Sequence, residues 1–513
     1  MTLLWLVEIS CALCAIAPAA RDWWIHAWTP SWRTGHQRFV RLTAWISAYS
    51  ATVMVVALWA PLALHLLAAI CLLFVGRDLW RSASWRGRRR SLPRGSLLHP
   101  RPGIFTHEFF FLEQARRFGP IFKARINGAP TICIVGHKTA LELLQQQAAH
   151  LSRPGMPFNR LIPRGFLRHM SSADRAFYRP KLIAILSPNI TQANRDRILA
   201  AARHGYAQMA SSDRGSTTGL HPREPLERIV LQIMAQIFFG IEARSALADQ
   251  VWELHRALCI EPVWMSAHPD KIAAFAELGA IVDAQVTALS ANNENDAPQS
   301  YLENCLRLFP ELAANRTIRG NLIYMLHTGT LDVAGLMTWI FKMLGDYPDC
   351  LEALRREVDS ALPVDDEHDL ATCVVRETLR LEQTEYLIRK VDTEFRFAGY
   401  TFPRNWLVRV CIREGHRDPE IYEHPNEFRP ERFRDHSFSN SEYAPLGLGE
   451  VRCLGKSPVL QIGATLVREL TGFDLAVLAD GRRQVGNLHW RPSSRLRVAL
   501  TPRRAKTAAE NTL

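Results

Sequence analysis

The stretch Tyr443-Ala-Pro-Leu-Gly-Leu-Gly-Glu-Val-Arg-Cys-Leu-Gly-Lys456 places one cysteine, Cys453, in a glycine-rich loop directly ahead of an apolar helical pattern. That arrangement offers a single thiolate to an iron held in a flat macrocycle. Gly447, Gly449 and Gly455 remove side chains that would block the ring and permit unusual backbone angles. Amides around the sulfur, together with the positive end of the following helix, favour the anionic form that binds iron. A free cysteine is by itself more often a small buried hydrophobe. The loop therefore needs support from the rest of the chain.

Size and charge narrow the field. The 513 residues contain no internal repeat and no low-complexity stretch, which fits one large catalytic unit behind an N-terminal appendage. Of the ten cysteines, only Cys11 and Cys14 are close in sequence. That is neither a disulfide framework nor a zinc pattern, and it points to a reducing compartment. The net charge is +12, and Arg77–Arg101 alone holds eight arginines against Asp78. A nucleic-acid binder spreads its basic residues over a folded surface. Here they crowd beside an apolar segment, so nucleic acid is not an expected partner.

That segment, Ala44–Gly76, has 33 residues without a formal charge. About 20 such residues span a bilayer as a helix, and Pro61 is tolerated inside one. No polar face appears, which argues against a buried core helix. The arginines that follow place the downstream chain on the cytoplasmic side. Met1–Ala20 is apolar apart from Glu8, and a second span, an interfacial helix or a signal-like stretch all fit it. The expected organisation is an apolar or amphipathic segment at 1–43, a transmembrane helix at 44–76 and a basic, Pro-stiffened linker at 77–103. A catalytic domain at 104–502 and a disordered tail at 503–513 follow.

Within the catalytic part, Pro120–Ile126 and Thr131–Val135 are β-rich and flank Asn127-Gly128, a hairpin signal. Helical periodicity then dominates to Leu381, interrupted by a polar loop at Ser290–Ser300. Short strands are expected from Thr393 to Val410, and a final helix near Ser457. Glu377 and Arg380 are three apart, on one helical face. Such pairs are usually exposed and worth a few tenths of a kcal/mol. Phe428-Arg-Pro-Glu-Arg-Phe433 adds Arg432, and a carboxylate between two arginines can be fully paired and survive burial.

In this order and spacing the motifs resemble the cytochrome P-450 family, membrane-anchored haem-thiolate monooxygenases of the fungal type. The likeness runs from Pro100 to the final helix. Glu377 and Arg380 match the family's Glu-x-x-Arg, Arg432 its partner arginine, and Gly399–Pro403 and His416–Tyr422 its intervening wording. The resemblance implies a mostly α cytochrome P-450 fold, a helical haem domain with a small β-rich subdomain behind an N-terminal transmembrane anchor. It implies haem b ligated by Cys453, propionates held by Arg179 and Arg389, and a fold-locking triad of Glu377, Arg380 and Arg432. Gly449 and Gly455 match the loop pattern, but Leu446 replaces its aromatic and Val451 its arginine, with Arg452 one residue away. Pro180, next to Arg179, is unusual for a helix.

The oxygen side departs further. A helix over Asn321–Leu344 should carry an acid–alcohol pair, yet the chain has Thr328-Gly-Thr-Leu-Asp-Val333. Asp332, with Thr328 one turn earlier on the same face, offers a substitute proton relay, and Thr330 completes the catalytic candidates. Gly329 either leaves room for dioxygen or packs. His416 is expected to anchor a loop rather than bind metal. No flavin or ferredoxin module is present, so the resemblance implies an NADPH-cytochrome P-450 reductase as partner. The substrates would be dioxygen and an apolar small molecule, in terpenoid or polyketide secondary metabolism. The chain would be held by a lipid bilayer, the endoplasmic reticulum membrane, with a cytosolic catalytic domain. Two alternatives stay open: a haem-thiolate enzyme using peroxide or catalysing dehydration or rearrangement without reductase, and a degenerate haem-binding membrane protein.

Overall fold

The β-rich runs beside Asn127 become neighbouring antiparallel strands, Ile121–Ile126 and Ala129–Val135, with Lys123 opposite Ile132. Ile132 and Ile134 are buried in one apolar cluster and Cys133 in another. That alternation belongs to a strand covered on both faces. Leu407–Cys411 joins Ala129–Val135 in parallel, and Leu387–Val391 pairs antiparallel with Leu407–Cys411. The sheet runs Gly95–Ser96, Ile121–Ile126, Ala129–Val135, Leu407–Cys411, Leu387–Val391, Leu151–Ser152. It therefore ties the start of the catalytic part to the segment that leads into the cysteine loop.

The computed structural model describes residues 69, 72–73, 91–97, 107–126, 129–153, 161–212, 218–259, 268–291, 297–313, 315–360, 368–382, 386–449, 452–481, 483–485 and 490–503. The segment expected at 1–43, the span at 44–76 apart from those three residues, most of the linker, Asn127-Gly128, Val451 and the tail beyond 503 lie outside them.

Helices make up the larger part. They include α1 (Ser172–Ile185), α2 (Arg195–Ser212), α3 (Arg223–Phe239), α4 (Ala246–Leu258), α5 (Pro269–Ala291), α6 (Arg316–Asp346), α7 (Leu370–Leu381) and α8 (Lys456–Leu470). α6 has 31 residues, about 46 Å at 1.5 Å per residue. It starts where the Asn315 side chain accepts from Thr317 N and Ile318 N. It ends at Tyr347, since the residue before Pro348 is pushed out of the helical region. α3, α5, α7 and α8 all pack on it. α2 and α3 approach closely at Gly205, where a Cβ would lie 2.2 Å from Ile229 Cγ1. Behind the cysteine loop, Gly463 of α8 meets Val375 of α7 in the same way, at 3.1 Å. α5 is long and apolar enough to cross a membrane, yet it packs against α4 and α6.

Three details differ from the sequence reading. Phe395–Phe402 is a hairpin, Phe395–Phe397 against Tyr400–Phe402. Ala398 and Gly399 turn it at φ 48° and 79°, the left-handed pair of a tight hairpin. The loop expected from Ser290 begins later, because α5 continues to Ala291. After α8 the chain forms a further antiparallel pair, Phe473–Ala479 with Arg497–Pro502.

Candidate active site

The geometry starts at α7. Asp369 caps it, accepting from Thr372 N at 3.0 Å and from Arg468 of α8 at 2.5 Å. One turn from its other end, Glu377 and Arg380 are both fully buried. Glu377 accepts from Arg380 Nε at 2.7 Å and Nη2 at 2.8 Å, from Arg432 Nε at 3.1 Å and from Arg429 N at 2.9 Å. Arg380 spends its remaining donors on the carbonyls of His416, Pro425 and Glu427. The pair would be prohibitively costly to bury alone. Fully satisfied, it fastens the loop 416–432 to α7.

His416 carries that fastening onward. It is completely buried, and its Nε2 accepts from Ala444 N at 3.0 Å. His137, which the sequence reading missed, sits between the carbonyls of Glu442 and Ile412, each 2.9 Å from a ring nitrogen, and as a neutral imidazole donates to one of them. Gly415 makes room for it, since a Cβ there would lie 2.5 Å from His137 Nε2. Burial, and secondarily the charges of His137, Arg380 and Arg417, holds the His416 imidazole well below its ordinary value. Tyr443 donates to Arg376 O on α7. Every contact ends one step from the cysteine loop.

In that loop, Cys453 N donates to Leu446 O at 2.7 Å, joining its two sides. Gly447 and Gly449 adopt φ 110° and 72°, angles that disfavour any side chain. Gly455 is the N-cap of α8, and a Cβ on it would lie 3.7 Å from Cys453 Sγ. A methyl group there would touch the sulfur. Cys453 is exposed, whereas Cys133, Cys305, Cys350, Cys373 and Cys411 are buried. Burial pushes the Cys305 thiol up to about 11 and those of Cys350 and Cys373 up to about 12, which makes them poor thiolates. Arg452 is also exposed.

Arginines converge elsewhere. Arg389 lies buried on the strand Leu387–Val391, and Arg179 lies on α1, whose course runs straight through Pro180. Burial, then the positive charges of Arg168 and Arg175, lowers Arg389 to about 10. Burial, then Arg175, Arg389, Arg168 and Arg179, lowers Arg153 to about 9. Five guanidiniums pressed together in a partly dry place call for an anion. The sequence reading found two of them, because Arg153, Arg168 and Arg175 belong to no contiguous motif.

On α6, Thr328 and Asp332 are one turn apart, so they share a face. Asp332 is exposed, and Thr328 Oγ1 donates to Tyr324 O at 2.9 Å. Thr330 is fully buried and donates to Leu326 O at 2.7 Å. At 100° per residue it points away from the Asp332 face. Gly329 faces α3, where a Cβ would lie 2.8 Å from Met234 Cε. Packing accounts for it.

Comparison with known proteins decides the family. The family model for cytochrome P-450 matches residues 96–478. The chain belongs to the cytochrome P-450 family. Among curated relatives, this P-450 is 25% identical over 403 residues to abscisic acid 8'-hydroxylase 3 of Oryza sativa subsp. indica, covering 71% of this chain and 77% of that one. It is 28% identical over 211 residues to dimethylnonatriene synthase of Arabidopsis thaliana, covering 37% and 41%. Its fold is similar to retinoic acid-bound cyanobacterial CYP120A1, with TM-score 0.64 at 21% identity over 81% of this chain and all of the other. A zebrafish cytochrome P-450 solved with progesterone gives 0.63 at 18% over 79% of this chain and all of that one. The protein is thus a mostly helical P-450 monooxygenase, using haem b on a cysteine thiolate, dioxygen, a small-molecule substrate and a redox partner. The residues present fit that group: an exposed thiol among buried ones, and an arginine cluster suited to two carboxylates.

Proposed function

We propose that this P-450 inserts one oxygen atom from dioxygen into an apolar small molecule, with electrons from NADPH-cytochrome P-450 reductase, in terpenoid or polyketide secondary metabolism. The observation that carries the reading is Cys453: an exposed thiol in a glycine-shaped loop at the N-terminus of α8. Haem held by a thiolate supplies oxygen activation, the sulfur's electron donation favouring O–O cleavage.

The chain's own residues do the rest. Cys453 is the iron ligand, with Gly449 and Gly455 keeping its surroundings clear and Arg452 at the rim. Arg179 and Arg389 hold the propionates, and Arg153, Arg168 and Arg175 extend that cradle. Asp332 passes protons to the oxygen site, with Thr328 on the same face of α6 orienting the water that carries them. The triad of Glu377, Arg380 and Arg432 keeps the loop in register. The apolar 44–76 segment anchors the protein in the endoplasmic reticulum membrane with the catalytic domain in the cytosol. The arginines of 77–103 meet anionic lipid and the reductase. The relatives support a small-molecule substrate: one is named for hydroxylating abscisic acid, another for making a triene.

A reductase-free reaction, driven by peroxide or by rearrangement, is the second reading. It is favoured by the incomplete acid–alcohol pair, with either Asp332 at the alcohol position or Asp332 as the acid and Val333 at the alcohol position. The deciding experiment supplies ¹⁸O₂, NADPH and reductase to full-length protein with a panel of terpenoids and polyketides. One ¹⁸O atom per product, dependent on NADPH, supports the monooxygenase. Product formed without NADPH, or without label, sinks it.

A further inference from the structure

Away from the cysteine loop, α4 and α6 bring three metal-ligating side chains together, with a carboxylate of α3 beside them. α4 carries His255, and Cys259 caps its end one turn later. α6 contributes His327 and α3 contributes Glu227. One ligand atom from each of His255, Cys259 and His327 lies within 4.8 Å of the other two. Glu227 Oε1 is 3.0 Å from His255 Nε2 and 3.9 Å from Cys259 Sγ, and that sulfur is 3.8 Å from His255 Nε2. Tetrahedral zinc with bonds of about 2.0–2.3 Å sets its ligand atoms about 3.3–3.7 Å apart. The 3.8 Å between Cys259 Sγ and His255 Nε2 is close to that range, and the His327 atom lies within 4.8 Å of both residues.

The surroundings are already organised for ligation. Arg223 Nε donates to the other Glu227 oxygen at 3.2 Å and Arg223 Nη2 to Leu331 O at 2.8 Å. Glu227 Oε1 is thereby held against His255, as outer contacts hold metal ligands. None of the four residues belongs to the haem-side machinery.

We propose that His255, Cys259 and His327 form a second metal site, for a zinc-class divalent ion, that fastens α4 to α6, with Glu227 of α3 in outer contact through His255. Two imidazoles and a thiolate suit a borderline-soft ion. The cations acting on the site are Arg223, Lys271 and Arg491. Burial lifts the Cys259 thiol to about 12 and holds the His327 imidazole well below its ordinary value. The neutral imidazole is ready to coordinate, and a bound ion displaces the thiol proton. The metal-free rival is a proton-sharing chain, since His255 Nδ1 and His327 Nδ1 are 3.0 Å apart.

The test is zinc content and zinc-edge X-ray absorption of the full-length, haem-loaded protein, purified without chelator. The proposal expects about one zinc per haem, with one sulfur at about 2.3 Å and nitrogen or oxygen neighbours at about 2.0–2.2 Å. It also expects Cys259→Ser to lose about tenfold or more in zinc affinity while haem content and its carbon monoxide spectrum stay unchanged. Zinc below about a tenth of the haem, a shell without sulfur, or full zinc retention by Cys259→Ser overturns it. If that variant fails to take up haem, the sulfur in the unmodified protein's zinc shell decides alone.

Discussion

Arg380 has five N–H donors, and each has a partner: two on Glu377 and three on the carbonyls of His416, Pro425 and Glu427. Removing the carboxylate strands two arginines in the interior. Glu377→Ala is expected to cost about 3–5 kcal/mol, read as a fall in the urea midpoint and in haem retained per chain; an unchanged midpoint contradicts the role. On α6, Asp332→Ala should cut product formed per NADPH by about tenfold or more, with Thr328→Val next in severity and Thr330→Val close to unmodified protein. Equal losses at all three would remove the relay. The cysteine loop was legible because its residues are contiguous and each has a separate chemical reason. Thr330 was offered as catalytic although helical spacing already turns it from Asp332. His137 was invisible because its partner Glu442 is 305 residues away, and Arg153 because its arginine neighbours come from separate segments, Arg389 among them.

At the scale of elements, the helices around the site came close to their expected bounds. α6 extends five residues earlier than Asn321 because Asn315 caps it, and a cap needs only one side chain. The strands after α8 were missed because Phe473–Ala479, although Phe473, Leu475 and Val477 are its more covered positions, carries the apolar Ala476 and Leu478 on its open face, which blurs the alternation in the sequence. α1 is the element under strain. It continues through Pro180, which cannot donate to the carbonyl of Ala176. Pro180→Ala should restore that bond and raise stability by about 1 kcal/mol or more, seen as a higher thermal midpoint with haem content preserved. A lower midpoint would contradict this reading of Pro180.

For the whole molecule, buried neutral histidines set its response to acid. His137 and His416 both have imidazoles lowered by burial. Above about pH 6.5 they are neutral whether folded or not, and they add nothing to the pH dependence. Below it the unfolded chain takes up protons that the folded chain refuses, so stability falls as pH falls, by up to about 1.4 kcal/mol per pH unit for each group. The urea midpoint should therefore drop between pH 7.5 and 5.5, and His416→Asn should flatten that drop; an unaltered slope contradicts it. The sheet, the triad and the long helix all converge on keeping one sulfur in place. The measurement that tests this most directly is the carbon monoxide difference spectrum of the reduced protein, taken beside Cys453→Ser. The account predicts a band at the thiolate-specific position that disappears in the serine variant while the fold persists. The same band in both proteins would contradict it.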